Sequence, residues 1–151
     1  MSLNALIATV FGVGRAPYAP GTAGSLAAAL IAWPIASAYG MLVLAPLGLA
    51  VGLIGIHFSG AYAKECGADD PKSCVIDEVA GQWIGLSVAP FSPLGFLLAF
   101  TLFRFFDIRK IWPADIAERL PGGLGIVADD IVAGTMAAMV VLIFVHAGYL
   151  K

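Results

Sequence analysis

Five carboxylates in this chain border apolar sequence where charge is expensive. Asp77 and Glu78 open the run VIDEVAGQWIGL, Asp107 ends another, and Asp129 and Asp130 begin a third. Arg104 and Lys110 each lie three residues from Asp107. Carboxylates brought together from separate segments repel unless a cation neutralises them. A hard divalent ion suits oxygen ligands, with Mg2+ the first choice. Arg104 and Lys110 could then hold phosphate oxygens while the ion polarises a phosphoryl group or activates water. The chemistry these residue types suggest is phosphate-ester hydrolysis, with Asp77, Glu78, Asp107, Asp129 and Asp130 as metal ligands or base. Any one of them could equally be a helix cap or a surface ion pair; as a converging set they read as a site.

Other routes to the same chemistry fit less well. A thiol phosphatase needs an Arg six residues after its Cys, but Cys66 leads to Lys72 and Cys74 to Ala80. The two cysteines match no zinc spacing and form no disulfide framework. No D-x-D pair and no G-x-x-x-x-G-K-[ST] loop occurs, and His57 and His146 lie in distant apolar runs that suit packing. Metal-activated water remains, and a direct carboxylate nucleophile stays open. A further anion-binding element is APYAPGTAGS, where Pro17, Pro20, Gly21 and Gly24 predict a break before a helix capped by Thr22 or Ser25.

The elements that must position these groups are membrane-like. Among 151 residues, 60% are hydrophobic and 12% charged, against about 25% charged in an ordinary globular chain; mean hydropathy is +0.94. No Asp, Glu, Lys or Arg falls between Arg15 and Lys64, between Glu78 and Arg104, or between Asp130 and Lys151. Such gaps predict helices in lipid. Residues 26–63 suffice for two spans with a turn at Tyr39 and Gly40 or at 45–48, and Trp33 with Pro34 predicts a kink in the first. Residues 80–103 predict a second hairpin around Pro90 and Pro93, its arms short for full spans. Asp77 and Glu78 share a broad face with Gly81 and Gly85, so they should point into the bundle. Residues 126–150 predict a last helix, with Asp129 and Asp130 favoured at its N-terminus by the helix dipole. The expectation is an all-α polytopic membrane bundle, one domain over residues 1–151, with about five apolar helices plus a short N-terminal interfacial helix.

All three charged regions fall on one side of this arrangement. They carry seven of the eight basic residues, leaving only Lys151 for the other side, so the positive-inside rule predicts a cytoplasmic site. Trp83 and Trp112 are expected in an interfacial aromatic belt. Arg109, Asp115, Glu118 and Arg119 are expected in surface roles. A net charge of −2 argues against nucleic acid. The sequence specifies no oligomeric state.

Four stretches in order, PGTAGSLAA (20–28), VIDEVAGQW (75–83), LFRFFDIRK (102–110) and GGLGIVADDIVAG (122–134), resemble those of the phosphatidylglycerophosphatase A family, and the likeness covers about residues 11–138. The resemblance implies a helical, Mg2+-dependent phosphatase of the bacterial cytoplasmic (inner) membrane. Its implied reaction removes the terminal phosphate of phosphatidylglycerophosphate, a lipid substrate, to give phosphatidylglycerol. Thr22, Gly24 and Ser25 would then join Arg104 and Lys110 in binding substrate. One departure stands out: the family pattern D-x-x-K-P-x-P has Ile111 in place of its first proline, which predicts altered loop geometry with the chemistry retained. The competing classes are a small ion transporter or channel, using the acidic cluster as a cation site without hydrolysis, and a catalytically silent membrane protein. The gathering of charge at one face, with no acid at mid-span, favours the enzyme.

Overall fold

The computed structural model describes residues 1–150. Among them every regular element is helical, with no strand: α1 (Leu3–Ala8), α2 (Pro20–Tyr39), α3 (Leu44–Cys66), α4 (Ile76–Leu86), α5 (Pro93–Arg109), α6 (Ala114–Ala117) and α7 (Gly123–His146). Single 3-10 turns at Val13–Arg15 and Met41–Val43 lead into α2 and α3.

Three helices, Pro20–Tyr39, Met41–Cys66 and Gly123–His146, are long and apolar enough to cross a membrane. At about 1.5 Å per residue, 20 residues cover roughly 30 Å, the thickness of a bilayer's hydrocarbon core. Their outward residues suit lipid: Leu30, Ile31, Leu49, Leu53, Ile54, Met139 and Ile143 are exposed. The inward faces are built from small residues. They include Gly24, Ala28, Ala32 and Ala36 on α2, Gly48, Gly52 and Gly55 on α3, and Ala133, Gly134 and Ala137 on α7. Without a hydrophobic force between helices in lipid, close backbone approach supplies the packing.

The expected five apolar helices are α2, α3, α4, α5 and α7, but two are short. α4 has 11 residues and α5 has 17. α4 is the central element, with nine of its 11 residues buried and packing against α2, α3, α5 and α7. At the crossing with α7, a methyl group on Gly81 would run into the Asp130 carbonyl, and one on Gly134 into the Gly81 carbonyl. Two backbones in contact there set Asp130 of α7 close to the N-terminal half of α4.

The hairpin turn falls at Gly40, the first of its two expected places, with φ 85°, and Pro34 sits within α2 without ending it. Other local expectations change. Neither Thr22 nor Ser25 caps α2. The helix starts earlier, at Pro20, whose fixed φ and missing N–H suit a first helical position, and Ala19 occupies the cap. α7 likewise starts at Gly123, so its first turn carries no acid and Asp129 and Asp130 lie beyond it, at its seventh and eighth residues. Dipole stabilisation fades within the first turn, so other groups must balance these carboxylates. Trp83 is no belt residue: it is 8% exposed and its indole N–H donates to the Ala28 carbonyl at 2.9 Å, tying α4 to α2. Trp112 is exposed.

Candidate active site

Four helix ends meet at one end of the bundle around a cavity of about 470 Å³. α2 lines it with Pro20, Gly21 and Thr22, α4 with Asp77 and Glu78, α5 with Arg104 and Asp107, and α7 with Asp129 and Asp130; Lys110 follows α5. All seven residues expected to be catalytic therefore line one cavity.

Within it the five carboxylates divide. Asp77, Glu78 and Asp130 each offer an oxygen within 4.8 Å of the others'. Asp77 Oδ1, Glu78 Oε2 and Asp130 Oδ2 are buried without a hydrogen-bond partner. Three clustered carboxylates that each keep a buried, unpartnered oxygen are costly alone, and a cation bound between them would offset that cost. The donor set, all carboxylate oxygen, fits a hard divalent ion. This cluster could bind a metal ion.

Asp107 and Asp129 are engaged otherwise. Asp107 forms a close ion pair with Arg104 across one turn of α5, and Asp129 forms one with Lys110. The equal spacing suggested that Asp107 lies between both cations. Instead α5 ends at Arg109, and Lys110 takes a left-handed conformation with φ 47°. That turn removes it from the helical row, so its ammonium group meets Asp129, with Glu118 at 3.4 Å. Burial alone would lower the pKa of Lys110, but the hydrogen bond and charge of Asp129 outweigh it and hold it above its ordinary value. Lys110 stays charged.

Arg104 ties three helices together. Its Nη1 lies 3.8 Å from Glu78 Oε1 on α4 and donates to Ser25 Oγ on α2 at 3.3 Å. The Ser25 hydroxyl in turn donates to the Gly21 carbonyl at 2.9 Å. A methyl group on Gly21 would strike the Glu78 carboxylate and approach the Arg104 guanidinium to 3.0 Å. α2 can approach these charges only with glycine there.

The three expected substrate contacts on α2 part company. Thr22 lines the cavity and Ser25 reaches it through Arg104. Gly24 instead packs against Val75, where an added Cβ would come within 2.7 Å of the Val75 Cβ. Gly21, one helical turn earlier, holds the place at the cavity.

Sequence reasoning passed over Asp70 and Lys72, which also line the cavity. Their loop is pinned by Tyr62 Oη to Ser73 Oγ at 2.7 Å and by the Val75 N–H to the Ala8 carbonyl at 2.9 Å. Cys74 also lines the cavity. Its thiol donates to Ser59 Oγ at 3.1 Å, and burial, reinforced by the charge of Asp77, pushes its pKa well up. A thiolate nucleophile is therefore disfavoured. Glu118 was assigned to the surface; it is the outer partner of Lys110. His57 and His146 are exposed and outside the cavity.

Three helices of membrane-spanning length, and a cavity lined by a carboxylate cluster that could hold a metal ion together with an Arg and a Lys, define the class as a helical membrane protein. The chain belongs to the phosphatidylglycerophosphatase A family, whose model it matches over residues 6–145. It is 37% identical over 150 residues to Phosphatidylglycerophosphatase A of Escherichia coli, covering 93% of this chain and 83% of that protein. The Haemophilus influenzae protein of the same description is 37% identical over 138 residues, covering 90% and 85%. A Bacteroides thetaiotaomicron protein, provisionally described as a phosphatidylinositol-3-phosphatase, is 36% identical over 149 residues, covering 93% and 92%. No solved structure matches the chain.

Proposed function

We propose that this protein hydrolyses the terminal phosphomonoester of phosphatidylglycerophosphate to phosphatidylglycerol and inorganic phosphate. The reaction depends on Mg2+, belongs to phospholipid biosynthesis, and takes place on the cytoplasmic side of a bacterial inner membrane. The whole chain, residues 1–151, serves as one membrane domain. The observation that carries this reading is the set of three unpartnered carboxylate oxygens on Asp77, Glu78 and Asp130, in a cavity also lined by Arg104 and Lys110. Family membership and the gathering of basic residues at the site's end of the bundle support it.

In this mechanism Asp77, Glu78 and Asp130 would hold Mg2+. The ion, when bound, neutralises charge and acts as a Lewis acid toward the phosphoryl group. Arg104, oriented by Asp107 and Ser25, presents its fork to phosphate oxygens. Lys110, held by Asp129, adds a point charge where negative charge builds as the bond to phosphorus breaks. Thr22 and the free N–H groups at the start of α2 face the same anion. Water attacks phosphorus in line as the bond from phosphorus to the glycerol oxygen breaks, one carboxylate of the set takes the water's proton, and the leaving glycerol oxygen takes a proton from solvent water, whose hydroxide is neutralised by the proton the carboxylate then releases.

The test is phosphate release by purified protein in detergent micelles, with Mg2+ or with EDTA. Parallel arms offer phosphatidylglycerophosphate and phosphatidylinositol 3-phosphate, the second because of the Bacteroides relative's description. Release from the first lipid in Mg2+, abolished by EDTA, is expected. No metal-dependent release from either lipid would sink the phosphatase reading, and release from the second alone would reassign the substrate. Cation flux through proteoliposomes without release would favour the transporter.

A further inference from the structure

A second cavity, of about 290 Å³, lies between α2 and α5 and is lined only by apolar residues. α2 supplies Leu26, Ala29, Leu30 and Trp33, and α5 supplies Phe96, Leu97 and Phe100. These positions continue the two helix faces that line the active site. Along α2 the steps from Thr22 to Leu26, then to Ala29 and Leu30, then to Trp33, are of three or four residues. Along α5 the steps from Arg104 to Phe100, then to Phe96 and Leu97, are the same. Such spacing keeps one face.

The helices run antiparallel in a fixed register. Ser25 meets Arg104 at the polar end, and eight residues further along each helix the Trp33 and Phe96 rings lie 4.7 Å apart. Ala29 and Phe100 fall midway between these contacts, and the small alanine leaves the seam open there. Eight residues at about 1.5 Å make the apolar stretch roughly 12 Å long. Phe91 packs against the same indole in a tilted arrangement, its centroid 4.7 Å away, and thickens the far wall. An occupant that also reaches the acidic cavity must join an apolar tail to an anionic head.

We infer that the groove between α2 and α5 binds one acyl chain of the lipid whose phosphate enters the acidic cavity, and that the Trp33, Phe96 and Phe91 rings close its far end. The inference rests on the lipid phosphatase reading above. Within a bilayer there is no hydrophobic gain in moving a chain from lipid into a groove. The groove therefore acts by orienting the lipid so that its phosphate lies in line, and its loss should appear in turnover of long-chain substrate.

The experiment compares dioleoyl and dihexanoyl phosphatidylglycerophosphate in mixed micelles, using the wild type, Ala29→Phe and Trp33→Ala. It adds photolabelling with a dioleoyl substrate carrying a diazirine at mid-chain. Ala29→Phe fills the groove and should lower kcat/KM for the dioleoyl lipid about tenfold while changing that for the dihexanoyl lipid less than twofold. Trp33→Ala opens the far end and should shift preference toward longer chains. The label should fall on peptides containing Leu30 or Leu97 and leave them in Ala29→Phe. Equal losses on both lipids, or no loss with labelling unchanged, would overturn the groove while the phosphatase reading stands. If the wild type hydrolyses neither lipid, both fall together.

Discussion

Asp130 and Asp129 are neighbours in sequence, the same residue type and both buried, yet they belong to different halves of the site. Asp130 joins Asp77 and Glu78, and each of the three keeps an unpartnered oxygen. Asp129 is held by Lys110, as Asp107 is held by Arg104. One set is short of positive charge and the other already has it. Adjacent residues on a helix diverge by about 100°, so Asp130 faces α4 while Asp129 faces the turn after α5. Carboxylate chemistry alone does not define a metal ligand; what stands opposite it does.

The comparison is broken most sharply by removing one charge from each set and reading activity and stability together. Asp130→Asn should lower phosphate release on the order of 10³-fold, since loss of one preorganised electrostatic group commonly costs 10²–10³. In EDTA at pH 8 the same variant should unfold at a higher temperature than the wild type, because one of three crowded carboxylates no longer repels the others. Asp129→Asn should lower activity less, on the order of 10- to 100-fold, as expected for a group acting through its neighbour. It should unfold at a lower temperature in EDTA, because the half-buried Lys110 loses its closest partner and a broken pair leaves a charge uncompensated. Thermal unfolding in detergent, read beside the phosphate assay, gives both numbers. If the two variants shift in the same direction, the division between the sets is wrong.

The sequence showed the helical class, two places for the first hairpin turn of which Gly40 is the one used, and seven of the nine charged residues that line the cavity, because in an apolar chain every charge is conspicuous and spacing by three or four is one-dimensional information. It did not show the division of the carboxylates. That depends on α5 ending at Arg109 and on the left-handed turn at Lys110, neither of which helical arithmetic foresees. The helix starts were also misjudged. Proline and glycine in PGTAGS read as a break, whereas Pro20 is the first residue of α2 and Gly21 the place where the helix backbone passes the Glu78 carboxylate. Small residues in lipid mark contact as often as they mark a turn. Asp70 and Lys72 gave no periodic signal at all, since they come to the cavity on a loop anchored through Tyr62 and Ala8.

The finest test lies at the rim. Lys110 has a second acidic partner, Glu118, at 3.4 Å, but the Glu118 side chain is 49% exposed while that of Asp129 is 5% exposed. Water and salt screen the outer pair, and exposed pairs contribute about 0.2–1 kcal/mol. Glu118→Gln should therefore change kcat/KM no more than about fivefold, since 1.4 kcal/mol corresponds to tenfold. Raising salt in the wild type should reproduce much of that small change, because the outer pair lies within reach of counterions. A loss comparable to that of Asp129→Asn would mean that Lys110 is oriented from the rim, and that the buried pair with Asp129 is packing around a charge held elsewhere. The Gln variant keeps the length and hydrogen-bonding capacity of Glu118, so it isolates the charge. An unchanged rate would leave Asp129 as the group that sets where the ammonium points.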